Sequence, residues 1–517
     1  MSPLLSVEIL PKFFRRMLLT ACFCFCLSSL ADGQDEAKQP SDVTQMKVID
    51  IGTTKQLFVD RKLIASDRDI ELVMHRPRRD GRVLIEADQA WEAGGRIAVY
   101  SSVLRENGKT RIWYDLLTPT GAGPYDHNRR VCYAESDDGL HFEKPRLGLH
   151  EVNGSKANNV VLPGVIGGCA VWIDPQADPA HRYKTQTKVY PSGQFHMHSS
   201  PDGLNWTKFG RLEPGPGGWD TQSIVFWDPA MERYALFTRY WADNDNRAGR
   251  YRTVRRLESD DLINWDSQTI VLRPDENDLA TYEPRTPQPP VDYYGADVFR
   301  YEDVYLMLAQ AFWHWNLRPD RDRLGPSTFD VRLAVSRDGK TFERVGEWNP
   351  FLSLGSEGSF DSRAVWAMPD PVRMGDELWI YYVGTNRDHD GIVDPTGGGE
   401  PLSGISRAVL RLDGFVSAHA GYQGGQLTTP PIRFDGSKLE LNVDTGGGGS
   451  VLVEVLDEKG QPLPGYSHED AVPVVGNSVA MPVTWRGHTD VSDIAGRPIQ
   501  LRFHLQDCHL YAFQFVE

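Results

Sequence analysis

The chain has 517 residues, 40% of them hydrophobic and 24% charged, so it is long enough for more than one domain and has the composition of a folded protein. Its 71 acidic residues outnumber its 55 basic residues, which gives a formal net charge of −16 at pH 7. An acidic chain without a long basic run is poorly suited to bind a phosphate backbone, so we expect no nucleic-acid partner.

The N-terminal segment has the pattern of a secretory signal peptide. Basic residues precede an apolar run over 17–30, and small and polar residues follow it. The run is shorter than the roughly 20 residues that a membrane-spanning helix needs. We therefore predict a leader over 1–33, a disordered spacer over 34–46, and a secreted or periplasmic protein without a membrane span. A twin-arginine signal and a lipid anchor at Cys22 remain open alternatives.

A seven-residue motif recurs along the middle of the chain. Its first copy is Ser136-Asp137-Asp138-Gly139-Leu140-His141-Phe142; later copies begin at Ser200, Ser259 and Ser336, and a degenerate copy lies at 411–415. The Asp-Gly pair supplies a residue that tolerates positive φ in a tight hairpin, and the aromatic after it begins the next strand. Separations of roughly 60 to 75 residues suit the four-stranded blades of a β-propeller. We expect these acids to be structural, because one such turn supplies too few oxygens for calcium.

Aromatic-rich segments with strand character separate these motifs, and helical periodicity is nearly absent. Five units of alternating strands and turns can be counted. The sequence therefore predicts an all-β protein with a five-bladed β-propeller over 47–422, whose leading strands at 48–79 close against the first blade. Clean alternation with period two begins near residue 423, which predicts a separate β-sandwich over 423–517.

The cysteines and histidines after the leader show no metal-binding spacing. Cys132, Cys169 and Cys508 are scattered, so we expect three buried core residues, although a disulfide between one pair stays open. His196 and His198 alternate onto one face of a predicted strand, but no third ligand can be identified. We therefore predict no metal and no other cofactor.

Two resemblances to known families follow from blade-like patterns and longer motifs. Segments 297–306 and 370–379, each an aspartate, an inner strand, a turn and an aromatic second strand, resemble blade openings of five-bladed propeller glycoside hydrolases such as families 32, 43 and 130. Nearly the whole chain after the leader also resembles a family of secreted, largely uncharacterised bacterial propeller proteins. The residues that carry this second resemblance include Leu57-Phe58-Val59-Asp60, Trp91-Glu92, Asn158-Asn159-Val160-Val161, Asp220-Thr221-Gln222 and Leu510-Tyr511-Ala512-Phe513.

The first resemblance implies a central funnel lined by the first strand of each blade, with acidic residues at its mouth acting on a saccharide. The second implies no catalytic assignment. Glycoside hydrolysis needs two carboxyl groups that flank the scissile bond. Glu92 lies in the loop leading into the first inner strand, and Asp220 and Asp297 are expected where later inner strands begin. We predict these three as the catalytic carboxylates; the alternatives are a surface acid at Glu92 and strand caps at the two aspartates.

Further candidates for substrate binding surround this predicted mouth. Guanidinium groups clamp carboxylates or sulfates, and aromatic rings stack on sugar faces. The candidates are Trp91, Arg239, His314, Trp315, Asp361, Arg363 and Asp370. Asp361 and Arg363 are expected to form an ion pair, either within the site or as a structural salt bridge. Asp174 and Asp228 follow first strands, so we expect them at the opposite end of the blades.

These patterns favour a secreted glycoside hydrolase with a carbohydrate substrate. Two other functions stay open: a non-catalytic carbohydrate-binding or scaffold propeller, and a sialidase-like or lyase enzyme that acts on an acidic sugar. Two carboxylates close together in the funnel would favour hydrolysis, and their absence would favour binding. At least two converging arginines are expected for an acidic sugar. The sugar, the linkage and the oligomeric state do not follow from the sequence.

Overall fold

The structure, a computed structural model, describes residues 47–120, 127–164, 169–189, 194–212, 221–243, 250–275, 278, 291–314, 327–389 and 402–517. The predicted leader and spacer, as well as Asp220 and Trp315, lie outside these ranges. Within the described residues, no helix combines the length and the apolar character needed to cross a membrane.

Strands dominate the regular structure, which confirms the all-β prediction. The chain begins with β1 (Ile49–Gly52), β2 (Gln56–Leu57), β3 (Ser66–Arg68), β4 (Glu71–Met74) and β5 (Arg78–Arg79). Short 3-10 helices occur at Ala90–Glu92, Pro179–His181, Gly346–Trp348 and Ser492–Ile494.

The next strands form antiparallel groups that follow one another along the chain. Group 1 contains β6 (Arg96–Ile97), β7 (Ser102–Glu106), β8 (Lys109–Pro119), β9 (His127–Ser136) and β10 (Val160–Pro163). Group 2 contains β11 (Trp172–Ile173), β12 (Tyr183–Val189), β13 (Gln194–Ser200) and β14 (Thr207–Leu212). Group 3 contains β15 (Ile224–Asp228), β16 (Arg233–Asp243), β17 (Arg250–Ser259) and β18 (Asp266–Leu272). Group 4 contains β19 (Val291–Tyr301), β20 (Val304–His314), β21 (Ser327–Ser336) and β22 (Glu343–Arg344). Group 5 contains β23 (Ala364–Ala367), β24 (Val372–Met374), β25 (Glu377–Thr385) and β26 (Ser403–Arg411).

Contacts between successive groups close a ring. Groups 4 and 5 share one sheet through the parallel pair Phe329–Ala364, and β5 completes group 5 by pairing with β26. Side chains join the other neighbours: Trp113 donates to the Gly203 carbonyl (2.7 Å), Tyr234 to Asp174 (3.2 Å), Arg256 to the Gly339 carbonyl (3.3 Å) and Tyr381 to the Gly139 carbonyl (2.7 Å). The last of these connects group 5 to group 1. This is β-propeller topology, with the first strand of each group around a central channel.

The four full copies of the recurrent motif form the same turn. In the first copy, the Ser136 hydroxyl accepts the Gly139 N–H at 2.8 Å, and an Asp138 carboxyl oxygen accepts the next two N–H groups. The glycine has a φ of 73°, and Leu262 holds the equivalent place in the third copy with a φ of 67°. The predicted positive φ is therefore confirmed. Because the turns carry glycine carbonyls that neighbouring groups bind, they hold the ring together as well as reversing the chain.

The leading strands differ from the sequence prediction. Only β5 pairs with a propeller strand. The other four pair with strands near the C-terminus, and Phe58 and Leu63 belong to the core of that region. The prediction that residues 48–79 close against the first blade was wrong, since four of these strands join the C-terminal sheets and β5 pairs with group 5; alternation alone does not identify the partner of a short strand.

The C-terminal strands form two main sheets over a shared apolar core. They are β27 (Val416–Ala420), β28 (Gly425–Thr428), β29 (Ile432–Phe434), β30 (Lys438–Asp444), β31 (Ser450–Leu456), β32 (Asn477–Pro482), β33 (Gln500–Gln506) and β34 (Cys508–Val516). One sheet has the order β32-β30-β34-β27-β4, and the other has the order β3-β28-β33-β31. Leu441 and Phe513 from the first sheet share a core cluster with Val453 and Phe503 from the second. The domain boundaries themselves stay a prediction.

Cys132, Cys169 and Cys508 are buried free thiols. The expectation of three core residues is confirmed, and no disulfide joins them.

Candidate functional site

Two contacts cross the central channel between groups that are not neighbours in the ring. The hydroxyl groups of Tyr100 in group 1 and Tyr294 in group 4 lie 3.5 Å apart. Gln222, just before the first strand of group 3, donates to the Ser101 carbonyl of group 1 at 2.8 Å. These side chains bridge the middle of the channel and lie between its two ends.

The two ends are distinguished by the direction of the strands. Each first strand begins at one end, which we call the upper end. The recurrent turns lie at the other, which we call the lower end, because they follow the third antiparallel strand of a group. The first residues of β6 and β19, Arg96 and Val291, are therefore at the upper end.

Aromatic rings gather at the upper end. The ring of Tyr294 packs edge-on against Phe329 at 5.3 Å between centroids, and Phe329 lies 4.7 Å from Trp366. His389 reaches the Tyr294 hydroxyl at 3.1 Å through Nε2. The rings come from groups 4 and 5, and together with Tyr100 they form one buried cluster. These rings pack on one another and form a rigid aromatic support at this end.

Asp292 is a buried carboxylate that lies beside an arginine and a histidine at this end. Arg252 donates to it at 2.9 Å, and His314 Nε2 lies 3.5 Å away. Burial alone would raise the pKa of Asp292, but Arg252 and His314 lower it to about 2. The Arg252 guanidinium also stacks 4.5 Å from the centre of the Trp241 ring, which fixes its orientation.

Asp115 is a second buried carboxylate, on β8 of group 1. Its Oδ2 lies 2.6 Å from a guanidinium nitrogen of Arg129. Burial raises the pKa of Asp115, and Arg129 only partly opposes this effect. Arg129 also lies 5.3 Å from the Tyr100 ring centre. A chain of contacts connects Asp115 to Asp292 through Arg129, Tyr100, Tyr294 and Arg252. Burial and charge shift the pKa values of the two aspartates in opposite directions.

Glu92, a predicted catalytic residue, is fully buried in the 3-10 helix at Ala90–Glu92. The Tyr114 hydroxyl donates to it at 2.5 Å, and Lys144 Nζ lies 2.6 Å from its other oxygen. That second oxygen also accepts the Gln89 N–H at 3.0 Å, which caps the helix. Neighbouring Trp91 donates its indole N–H to Asn159 at 2.8 Å. These contacts satisfy Glu92 from within the protein, which is the arrangement of a structural residue.

Asp297 and Asp370 lie further along the first strands than the sequence analysis placed them. β19 begins at Val291 and continues to Tyr301, so Asp297 is in its interior. Asp297 follows Asp292 by five positions, or roughly 16 Å of extended strand. Tyr294 lies between them, so Asp297 is on the lower side of that cross-channel contact. The prediction that Asp297 and Asp370 mark strand beginnings was wrong, because β19 is longer than the repeat pattern suggests and β23 ends before Asp370.

Asp297 and Asp370 influence each other electrostatically. Asp297 is buried, and only a long 3.5 Å contact from Gln310 reaches one of its oxygens. Burial raises the pKa of Asp297 well above its usual range, and the charge of Asp370 adds to this effect. Asp370 is exposed, but the surrounding protein still raises its pKa to about 6. Its φ of 59° marks a kink between β23 and β24.

The expected ion pair between Asp361 and Arg363 does not form. Asp361 instead accepts hydrogen bonds from Arg79 (3.0 Å), Tyr382 (2.9 Å) and Ser359 (2.7 Å). Arg363 pairs with Glu357 at 3.4 Å. Residues two positions apart on an extended strand share one face, so Asp361 and Arg363 could pair there only if the chain were extended. Here the chain turns at Asp361.

Two other predicted residues do lie at the upper end. His314 ends β20 beside Asp292, and Arg239 is a buried residue of β16 whose guanidinium lies 5.1 Å from the Trp241 ring centre. Asp220 and Trp315 lie outside the described residues. Asp174 and Asp228 are buried near the lower end with Tyr234 and Arg256 as partners.

Sequence reasoning missed Asp292, Asp115 and the arginines around them. The signal for Asp292 is the Pro289-Pro290 pair, which ends the preceding segment and indicates a strand start at residue 291. Asp115 and Arg129 have no such local signal, because they meet only after β8 pairs with β9.

Among the described residues, no group of three or more histidine, cysteine, aspartate or glutamate side chains is placed to hold a metal ion. His198 instead contacts the Thr187 hydroxyl at 2.9 Å.

Comparison with known proteins yields remote similarities. No family model matches the chain. An uncharacterized protein of Mycobacterium tuberculosis is 25% identical over 153 residues, covering 29% of this chain and 48% of that protein, so the match spans about half the length of the curated relative. A β-1,2-mannobiose phosphorylase from Listeria innocua is 13% identical over 66% of this chain and 97% of its own, with a TM-score of 0.45. A glycosyl hydrolase from Bacteroides ovatus is 15% identical over 66% of this chain and 94% of its own, with a TM-score of 0.45. A thermostable family-43 glycoside hydrolase is 14% identical over 66% of this chain and 96% of its own, with a TM-score of 0.41.

Proposed function

We propose that the protein is a carbohydrate-active enzyme, a glycoside hydrolase, that binds its saccharide at the upper end of the channel. The observation that carries this proposal is the pair Asp115 and Asp292, whose environments shift their pKa values in opposite directions within one connected cluster. Opposite shifts are what acid–base chemistry requires of two carboxyl groups, since one must donate a proton while the other stays ionised.

In this proposal Asp115 supplies the proton and Asp292 is the ionised group. The buried aromatic cluster around Tyr294 and Trp366 supports the proposed site, with the Tyr294 ring 5.2 Å from the Arg252 guanidinium. Asp220 remains a candidate for a third carboxylate, because it directly precedes Thr221 and Gln222 at the start of the group 3 segment. Export to a secreted or periplasmic location is part of the proposal and rests on residues 1–33 alone.

The test is an activity screen of the chain from residue 47 on glycans and aryl glycosides, alongside Asp115→Asn, Asp220→Asn and Glu92→Gln. Hydrolysis by the parent protein that Asp115→Asn reduces by about 100-fold supports the proposed acid. Equal activity in the parent and Asp115→Asn overturns that assignment. Loss of activity in folded Glu92→Gln would support the sequence-based prediction that Glu92 is catalytic.

A non-catalytic carbohydrate-binding propeller is the second candidate. It is favoured by the ion pairs at this end, since Asp115, Asp292 and Asp361 each hold an arginine. A carboxylate that is paired with a guanidinium can still accept hydrogen bonds from sugar hydroxyls, but it exchanges protons less readily than an unpaired carboxylate. Saturable glycan binding without hydrolysis of any glycan in the screen would favour this function.

A further inference from the structure

Arg96 is a cation at the upper end of the channel for which no anionic partner lies among the described residues. It is half-buried at the first position of β6, and within the described residues its side chain makes no ion pair and no hydrogen bond. A partly desolvated guanidinium without a partner is costly, so proteins usually pair it. Two other half-buried arginines at this end do have anionic partners, Asp115 for Arg129 and Asp292 for Arg252.

Strand pairing brings a second arginine to the same side. Arg96 lies opposite Leu117 on β8, and Leu117 lies opposite Arg129 on β9. Residues directly opposite each other in an antiparallel sheet point to the same face. Arg96 and Arg129 therefore share one face of group 1, two strands apart.

Arg387 adds a third guanidinium from group 5. It follows β25 directly after Asn386, whose side chain holds the Leu402 N–H at 2.8 Å and so fixes the local backbone. The positive charges of Arg387 and Arg129 reinforce desolvation in lowering the pKa of Arg96 to about 10. Asp115 opposes this effect, but it is already bound to Arg129.

We propose that Arg96, together with Arg129 and Arg387, binds an anionic group carried by the saccharide, either a carboxylate or a sulfate ester. The proposal rests on the saccharide site proposed above. Guanidinium groups suit this task because their planar N–H donors match two oxygens of a carboxylate or sulfate at once. The neighbouring Tyr100 ring, 5.3 Å from the Arg129 guanidinium, would contact the sugar that carries the anion.

Direct binding measurements test this subsite without requiring activity. Isothermal titration would compare methyl glucuronide and glucose 6-sulfate with neutral methyl glucoside, and with inorganic sulfate and phosphate. The variants are Arg96→Gln, Arg96→Lys and the control Arg300→Gln, which removes an exposed arginine near the opposite end of β19. Circular dichroism and the thermal midpoint establish that each variant is folded.

We expect the parent protein to prefer at least one anionic sugar over the neutral sugar by 10-fold or more. Arg96→Gln should reduce that preference to about 2-fold without weakening the neutral sugar, Arg96→Lys should retain part of it, and Arg300→Gln should retain all of it. An unchanged preference in Arg96→Gln overturns the subsite while leaving the saccharide function intact. Binding of inorganic sulfate or phosphate without any anionic sugar overturns the saccharide assignment of the subsite. If no glycan binds measurably, whether neutral or anionic, the proposed function itself is contradicted.

Discussion

The hydroxyl groups of Tyr100 and Tyr294 meet at 3.5 Å across the channel, although 194 residues separate them. The contact joins groups 1 and 4, which are not neighbours in the ring. It therefore separates Asp292 at the upper end from Asp297, which lies further along the same strand. Because of this separation, two carboxylates of one strand belong to different environments: among the described residues, Asp292 is bound by Arg252, whereas Asp297 is reached by Gln310.

The recurrent turns are expected to stabilise the ring through close contact with the preceding group. A Cβ added at Gly203 would lie 2.7 Å from the Trp113 ring, and the φ of 77° disfavours any side chain. Gly203→Ala should lower the free energy of unfolding by about 3 kcal/mol. The matched control is Gly108→Ala, which has a φ of 80° but nothing within 4 Å, and it should cost about 1 kcal/mol. Equal losses by urea denaturation would show that the contact with Trp113 has no energetic role.

Glu92→Gln should destabilise the protein and leave its chemistry unchanged. The substitution removes the charge that pairs with Lys144 at 2.6 Å and weakens the capping of the 3-10 helix. We expect a loss of about 3 kcal/mol, since breaking a buried pair leaves the other charge uncompensated. The control Glu143→Gln alters an exposed carboxylate nearby and should have little effect. Unfolding midpoints and activity per folded molecule separate the two roles, and a stable but inactive Glu92→Gln protein would contradict the structural role.

Asp370→Asn should stabilise the protein at pH 7 and have no effect at pH 3. The pKa of Asp370 is raised to about 6, so its ionised form is disfavoured on folding once the pH exceeds the unfolded pKa near 3.8. Asparagine avoids that cost, relieves repulsion with Asp297 and tolerates the φ of 59°. The expected gain at pH 7 is about 1 kcal/mol, because solvent around the exposed side chain screens the effect. Destabilisation at pH 7 would show that the Asp370 carboxylate is needed for folding.

His198 should make stability fall as the pH is lowered from about 6.5 to 4. Burial first, then the charges of His196 and Lys208, lower its pKa from 6.5 to about 4. Between these values the unfolded chain binds a proton that the folded protein excludes, so acid favours unfolding by up to about 3 kcal/mol. His198→Gln keeps a partner for the Thr187 hydroxyl but does not titrate. Its urea midpoint should therefore change less than that of the parent protein between pH 7 and pH 4; identical changes would contradict the shifted pKa.

The architecture could be predicted from the sequence better than the site, because local sequence patterns determine the turns and strands. The Asp-Gly turns and the alternating strands are local, and they led to the all-β propeller. The partners of β1 to β4 are distant in the chain, so alternation could not reveal that they join the C-terminal sheets.

The site depends on pairing that local patterns do not encode. Arg96 and Arg129 meet on one face only through Leu117, and Asp292 finds Arg252 across groups 3 and 4. The motif-based alignment of Asp297 with Asp370 selected residues at equal distance from an aromatic strand, but neither residue begins a first strand. The length of β19, which places Asp297 in the interior of the strand, could not be predicted from the motif.

The central claim, that the saccharide site lies at the upper end, is tested most directly by comparing Asp292→Asn with Asp228→Asn. Both replace a buried aspartate that an arginine binds, at 2.9 Å for Asp292 and 2.8 Å for Asp228, but Asp228 lies at the lower end. Both variants should lose stability. At a temperature where each is folded, hydrolysis of the best glycan from the screen should fall by about 100-fold or more in Asp292→Asn and stay within about 2-fold of the parent in Asp228→Asn. Equal activity in the two variants, or a loss confined to Asp228→Asn, would contradict the claim.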